Sequence, residues 1–231
     1  MNAIAIITAR GGSKRIPRKN IKEFCGRPII EYSIKAALNS NIFEEVMVST
    51  DDEQIAAVAK AAGANVPFFR SAKTAGDFAT TADVLNEVFD RYKAQGREFD
   101  YACCLYPTAP FITANKLKAA MNMLICPDTD SVVPVVPFSF PPQRGFVIND
   151  DILSYQYPEY RNTRSQDLPT IYHDCGQFYC FKVDMFLQHN TAVYGNVRPF
   201  IVDETEVQDI DNLSDWHLAE IKYRFMLEQN K

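Results

Sequence analysis

No run in this chain approaches the roughly 20 apolar residues that a membrane-spanning helix needs, so none is expected to cross a bilayer. The first apolar run, Ala3 to Ala9, is short and carries its charges after it, so it does not read as a signal peptide. Positive charge is in deficit, with 24 Lys and Arg against 29 Asp and Glu and a net of −5. That balance excludes a nucleic-acid footprint spread over the whole surface. The six cysteines include no C-x-x-C pair. Cys103 and Cys104 adjoin in an expected strand, point to opposite faces and cannot chelate one ion. Free thiols in a reducing cytoplasm are the expected state. His173 and Asp174 adjoin, but adjacent side chains rarely aim at one nucleophile, and no G-x-S-x-G motif accompanies them. Neither common phosphate-loop pattern, G-x-x-x-x-G-K-[ST] or G-x-G-x-x-G, occurs. Internal repeats and low-complexity segments are absent as well.

What the chain does have is a basic cluster. Arg10 to Lys22 holds six basic residues in thirteen, against 24 in 231 overall. It follows an apolar run with Ile4, Ile6 and Ile7, which suits a buried first strand. Gly11 and Gly12 allow a sharp turn and close approach to a ligand, and Ser13 adds a hydroxyl. Arg10, Lys14, Arg15, Arg18 and Lys19 are placed to surround a small polyanion. The stretch reads as a phosphate-holding loop at the carboxyl end of a strand, where open α/β sheets bind ligands.

Beyond the loop, strand and helix patterns alternate. Pro28 is expected at the first position of a helix with Ile30, Ile34, Ala37 and Leu38 as its apolar stripe. A strand over 45–49 precedes a helix capped by Asp51 or Asp52 and ended by Gly63. Val66 to Phe69 reads as a short strand. Thr80 or Thr81 opens the next helix. Strands over 101–105 and 131–136 flank a helix starting at Thr113. The alternation predicts an α/β fold, a mostly parallel sheet covered by helices on both faces. At Pro137 the pattern changes, and five prolines between 137 and 169 break any long helix. Residues 138–172 read as an inserted arm whose clustered Tyr155, Tyr157 and Tyr160 suit a subunit interface. The rest belongs to a single domain over 1–231. Further strands are expected at 178–181 and 199–202, then a last helix with Leu218, Ile221 and Phe225 inward.

Two more constellations carry chemistry. In an extended segment Asp209 and Asp211 point to one side and can hold a hard cation such as Mg²⁺. Asp211 is equally placed to cap the last helix. Arg161 and Arg164 offer guanidinium forks suited to a carboxylate.

Ala9 to Asn20, reading Ala-Arg-Gly-Gly-Ser-Lys-Arg-Ile-Pro-Arg-Lys-Asn, resembles the signature of the cytidylyltransferases that activate nonulosonic acids. Leu105 to Pro110, Arg164 to Pro169 and Asp209 to Asp211 resemble later family blocks in the same order. The resemblance covers nearly the whole chain. It implies a Rossmann-like nucleotide-diphospho-sugar transferase fold, three layers with a mixed, mostly parallel sheet and an arm that dimerises. It implies transfer of CMP from CTP to a nine-carbon sugar acid, with Mg²⁺ and release of pyrophosphate. On it, Arg10, Gly11, Gly12, Ser13, Lys14, Lys19, Asn20, Arg70, Thr80 and Thr81 serve CTP. Tyr106, Arg164, Gln166 and Gln177 serve the sugar, Asp209 and Asp211 the metal, and Arg10, Lys19 and Asp211 catalysis. Tyr106 and Ile112 stand where sialic acid enzymes resemble one another in a glutamine and an arginine. The pattern is closer to the pseudaminic acid branch, whose sugar ends in a methyl group. CMP-sialic or CMP-legionaminic acid synthesis, and a D-x-D glycosyltransferase of similar fold, are the alternatives.

Overall fold

The computed structural model describes residues 1–229. In chain order it forms β1 (Ala3–Thr8), the short pair β2 (Glu23–Phe24) and β3 (Arg27–Pro28), α1 (Ile30–Ser40), β4 (Glu45–Ser49) and α2 (Glu53–Ala61). Then come α3 (Ala72–Ala75), α4 (Thr81–Ala94), β5 (Tyr101–Leu105), α5 (Ala114–Leu124) and β6 (Ser131–Pro137). The hairpin β7 (Phe146–Asn149) and β8 (Ile152–Tyr155) follows, then β9 (Tyr172–Asp174), β10 (Phe178–Lys182), α6 (Val183–His189), β11 (Val197–Ile201) and α7 (Leu213–Gln229).

One sheet runs in the order β11-β6-β10-β5-β1-β4, with β9 pairing the far end of β6. β1 is parallel to β4 and β5, and β11 is parallel to β6. β10 lies antiparallel between β5 and β6, and β9 is antiparallel to β6, so only β9 and β10 oppose the common direction. Alternation along β1 divides the core. Ala3, Ala5 and Ile7 face α1, α2 and α5 through Ile34, Ile55 and Leu117. Ile4 and Ile6 face α4 and α6 through Leu85, Tyr92 and Phe186. Both faces of β1 are buried, as a parallel strand under two helix layers requires. Cys103 and Cys104 split between the same two layers. All six cysteines are free, with Cys103 and Cys180 facing each other across β5 and β10.

The starts of α2, α4 and α5 follow side-chain caps. Asp52 accepts from Gln54 N–H and Ile55 N–H, and Thr80 makes a capping box with Asp83. Thr113 caps α5. Four expectations fail. Pro28 lies in β3, and α1 begins at Ile30, because Arg27–Pro28 first pairs with Glu23–Phe24. Val66 to Phe69 forms no strand. Only Asn65 bridges to Met47, and Pro67 supplies no ladder donor. The last helix turns its other side inward. Trp216, Ala219 and Met226 are buried, whereas Leu218, Ile221 and Phe225 are exposed. Phe24 and Tyr32 catch Trp216 and Tyr223 edge-on, and these large rings set the rotation of the helix. Asp211 does not cap it; Asn212 and Asp215 do, each accepting from the other's N–H.

Of residues 138–172, all but Tyr172, which starts β9, leave the sheet as the β7–β8 hairpin and three short 3-10 turns. Phe146, Ile148, Ile152 and Leu153 of the hairpin are exposed.

Asp52 also takes both arms of the Arg18 guanidinium, at 2.6 and 3.0 Å. The Arg18 hydrogen bond, ahead of bonds from the α2 backbone, holds the Asp52 carboxyl below its usual range. A depressed folded-state pKa gives stability that is complete above the unfolded value of about 3.9 and lost as pH falls through the lower folded value. Asp52→Ala should therefore cost roughly 1–2 kcal/mol at pH 7, the size of a lost N-cap, by urea unfolding. Its deficit against the wild type should shrink as the pH drops below the carboxylate range.

Candidate active site

The chain runs from β1 to β4 on one side and returns to β5 on the other, so a crevice opens between the carboxyl ends of β1 and β5. A cavity of about 410 Å³ lies there. Thr8, Arg10, Ser13, Lys14, Arg15, Ile16, Lys19 and Asn20 line it from one side, Tyr106, Pro107 and Thr108 from the other, and Asp211 closes it. Four cations thus share the cavity with one lining carboxylate. A larger hollow of about 530 Å³ lies by Tyr101 and Lys182, at the opposite end of the sheet. Its walls mix Asp90, Glu98 and Asp184 with Lys93 and Arg97, so no single charge converges there.

The loop is held from several directions. Asn20 is buried, and its amide donates to the Arg10 carbonyl at 2.8 Å. Gly11 N–H donates to Asp51 at 2.9 Å. A Cβ on Gly11 would lie 2.9 Å from Asp52 Oδ2, so any larger residue there would have to displace the Asp52 side chain. Gly12 has open space around it. Ile16 is buried beside Trp216 of α7. Arg18, in the left-handed region at φ 56°, turns away from the cavity to Asp52 and does not help surround an anion. Arg10 and Lys14 both reach Asp77, at 2.9 and 2.6 Å. Arg15 pairs with Asp211 at 2.7 Å. Lys19 donates to the Ile210 carbonyl at 2.7 Å, and burial pulls its pKa down.

The segment that ends in Asp209 and Asp211 is fastened by donors from α7, α5 and the bend before β10. Lys222 of α7 donates to the Glu204 and Val207 carbonyls at 3.0 and 2.7 Å. Lys116 of α5 meets the Glu206 carboxylate at 2.7 Å. Gln177 donates to the Glu206 carbonyl at 2.7 Å. Ile210 is buried between the two aspartates, and they line different hollows. Asp211 faces the basic cavity, whereas Asp209 borders a hollow of about 290 Å³ with Phe138, His173 and Lys222. Among the described residues no group of three or more His, Cys, Asp or Glu gathers to hold a metal. The Asp209 carboxylate has no hydrogen-bond partner among the described residues, and Asp211 has only Arg15. Hard carboxylate oxygens suit Mg²⁺, but the two do not point to one side as the spacing predicts, and only Asp211 offers its carboxylate to the basic cavity.

The other expected site residues scatter. Arg70 is buried at the end of β4, bonded to Ser49, and burial lowers its pKa. Thr80 is engaged in its capping box, and Thr81 is the first residue of α4. Arg164 is exposed on the arm and forks onto Asp167, and Gln166 is exposed beside it. Gln177 is buried and anchors the acidic segment. Ile112 is core, packed with Leu117, and does not line the cavity. Tyr106 does line it, its ring 5.6 Å from that of Tyr179. The Tyr179 hydroxyl donates to Asp174 at 2.7 Å. Tyr179 and Asp77 had no local signal in the sequence, and Asp174 stood out only beside His173; each meets its partners through the fold.

A cytidylyltransferase family model matches residues 4–194. The chain belongs to the cytidylyltransferase family. It is 39% identical over 225 residues to pseudaminic acid cytidylyltransferase of Campylobacter jejuni, covering 97% of each chain. To CMP-N,N'-diacetyllegionaminic acid synthase of Legionella pneumophila it is 33% identical over 226 residues, covering 95% of each. The fold is also that of CMP:2-keto-3-deoxy-manno-octonic acid synthetase complexed with CTP, with a TM-score of 0.71 at 19% identity over 99% of this chain and 100% of that one. The enzyme is a nucleotidyltransferase, and its basic cavity lies where the sheet topology places a ligand.

Asn20→Ala should leave the Arg10 carbonyl without its partner. Unfolding free energy should drop by about 1–3 kcal/mol, the cost of an unmet buried polar group, with the far-ultraviolet circular dichroism unchanged.

Proposed function

We propose that the enzyme transfers CMP from CTP to the anomeric hydroxyl of a nonulosonic acid, with pseudaminic acid preferred, and releases pyrophosphate. One observation carries the reading: Arg10, Lys14, Arg15 and Lys19 converge on one cavity at the carboxyl ends of β1 and β5. A triphosphate suits that charge, and the family supplies the nucleotide.

The hydroxyl oxygen attacks the α-phosphorus, the bond from the α-phosphorus to the bridging oxygen breaks, and pyrophosphate leaves with the electron pair. Arg10 and Lys14 hold the departing phosphates and stabilise the charge that grows on them. Lys19 keeps further donor protons beyond the one given to Ile210, and these serve the phosphates. Ser13 and the Gly11–Gly12 turn shape the cradle, and Asn20 keeps the turn closed. Arg70, Thr80 and Thr81 are assigned to the nucleoside side. Asp209 and Asp211 would hold Mg²⁺, which when bound neutralises phosphate charge. Asp211 is the carboxylate that lines the cavity, and it is the proposed acceptor of the hydroxyl proton.

Tyr106, beside Tyr179, offers an aromatic wall for a sugar ending in a methyl group. Arg164 is assigned to the sugar carboxylate, with Gln166 beside it, and Gln177 acts from behind as an anchor. Arg164 sits on the arm and does not line the basic cavity of its own chain. Its assignment therefore goes with a homodimer in which the exposed hairpin faces a second copy. The chain is one domain with residues 138–172 as the inserted arm. Among the described residues no helix is long and apolar enough to cross a membrane. Six free thiols suit work in the cytoplasm.

Incubation with CTP, Mg²⁺ and a panel of sugar acids, read by pyrophosphate release, tests the reading. Pseudaminic acid should exceed sialic acid by roughly 10²-fold in kcat/KM, the discrimination an apolar contact gives against an added hydroxyl. Arg10→Ala should lower turnover about 10²-fold or more. Release of no pyrophosphate with any acid, alongside consumption of a finished sugar nucleotide, would establish the glycosyltransferase alternative instead.

Asp209→Ala and Asp211→Ala should each abolish metal-dependent turnover while unfolding at the wild-type temperature, because the cap of α7 rests on Asn212 and Asp215. Titration with Mg²⁺ and a thermal melt measure the two effects separately.

A further inference from the structure

Two of the cavity's cations already hold an anion, and it comes from the chain itself. Asp77 Oδ1 accepts from Arg10 at 2.9 Å, and Oδ2 accepts from Lys14 at 2.6 Å. We propose that Asp77 is an internal counter-anion that occupies these cations between turnovers, yields them to the triphosphate, and competes with pyrophosphate for them as product leaves. This rests on the reading that the basic loop holds CTP phosphates.

The surrounding backbone is built for such an exchange. Asp77 lies in the span 76–79 between α3 and α4. Both ends of that span are pinned to α4. Ser71 and Thr74 bond the Glu87 carboxylate on one side, and Thr80 and Asp83 form their capping box on the other. Between the pins, one backbone hydrogen bond links Ala79 N–H to the Gly76 carbonyl. Phe78 is 99% exposed and packs on nothing. The two ion pairs of Asp77 are therefore the main side-chain hold on the span, and losing them disturbs no core.

The strength of the contacts fits as well. The Arg10, Lys14 and Asp77 side chains are 41, 78 and 47% exposed. Exposed pairs of this kind are weak and screened by salt, so a ligand with several negative charges displaces a single carboxylate. The contrast with Asp52 is instructive. It takes the Arg18 fork and caps α2 at once, with a side chain only 19% exposed, so that pair is scaffold. Once the phosphate chain is cut, the tethered Asp77 remains at high effective concentration beside Arg10 and Lys14. Lys14 first, and then Arg10, hold its carboxyl below the usual range, which keeps it anionic.

Calorimetric binding of pyrophosphate and of CTP to the full chain, with Asp77→Asn, Asp77→Glu and Arg10→Ala beside the wild type, tests this. Asp77→Asn should bind pyrophosphate roughly two- to tenfold more tightly, as the loss of two exposed ion pairs implies. Pyrophosphate should inhibit its turnover at correspondingly lower concentration, and the difference should shrink as salt is raised. Asp77→Glu should restore wild-type affinity. An Asp77→Asn enzyme that melts normally and binds pyrophosphate equally or more weakly overturns the proposal, while weaker binding by Arg10→Ala in the same series leaves the phosphate reading intact. Unchanged pyrophosphate and CTP affinity in Arg10→Ala overturns both.

Discussion

Cations gathered to meet a polyanion repel one another until it arrives, and the structure around this cavity answers that repulsion. Each of the five basic residues from Arg10 to Lys19 is given a partner from far along the chain. Asp52 takes Arg18, Asp77 takes Arg10 and Lys14, Asp211 takes Arg15, and the Ile210 carbonyl takes Lys19. The partners arise from the end of β4, the span before α4 and the approach to α7. Bringing them together requires the sheet order, the capped helices and the docking of the last helix at once. Charge pairing at the loop and packing of the core therefore depend on each other.

The partners differ in burial, and burial sorts their roles. Asp52 is tied into a helix terminus and shielded, so Arg18 shapes the loop. Asp77 is solvated and lightly held, so Arg10 and Lys14 stay available to a ligand. Lys19 lies between these cases. It is buried enough for desolvation to lower its pKa, yet faces both a carbonyl and the cavity. Such grading lets one short stretch supply both the frame of a site and its working charges.

Much of this was legible in the sequence, because strong local patterns dominate where neighbours agree. The isoleucines of β1, the caps Asp52, Thr80 and Thr113, and the density of charge after β1 mark the α/β order and the basic loop. What could not be read depends on tertiary partners. α7 carries apolar residues on two sides, and only the rings of Phe24 and Tyr32 decide which side is buried. Spacing made Asp209 and Asp211 neighbours on one face, but the burial of Ile210 in an irregular segment sends them to different hollows. The density of cations did not reveal that Arg18 is scaffold, or that Asp77 waits 63 residues from Lys14.

Arg15 and Asp211 are 196 residues apart, and Lys19 and Ile210 are 191 apart. The loop made first is completed by contacts made almost last. On the ribosome, a nascent chain can assemble β1, β4 and β5 with their helices well before residues 204–216 emerge. In that interval the cations have a loop but neither Asp211 nor the covering α7. A partial chain thus lacks the contacts that complete the loop, and whatever binds the completed cavity stabilises only the finished fold.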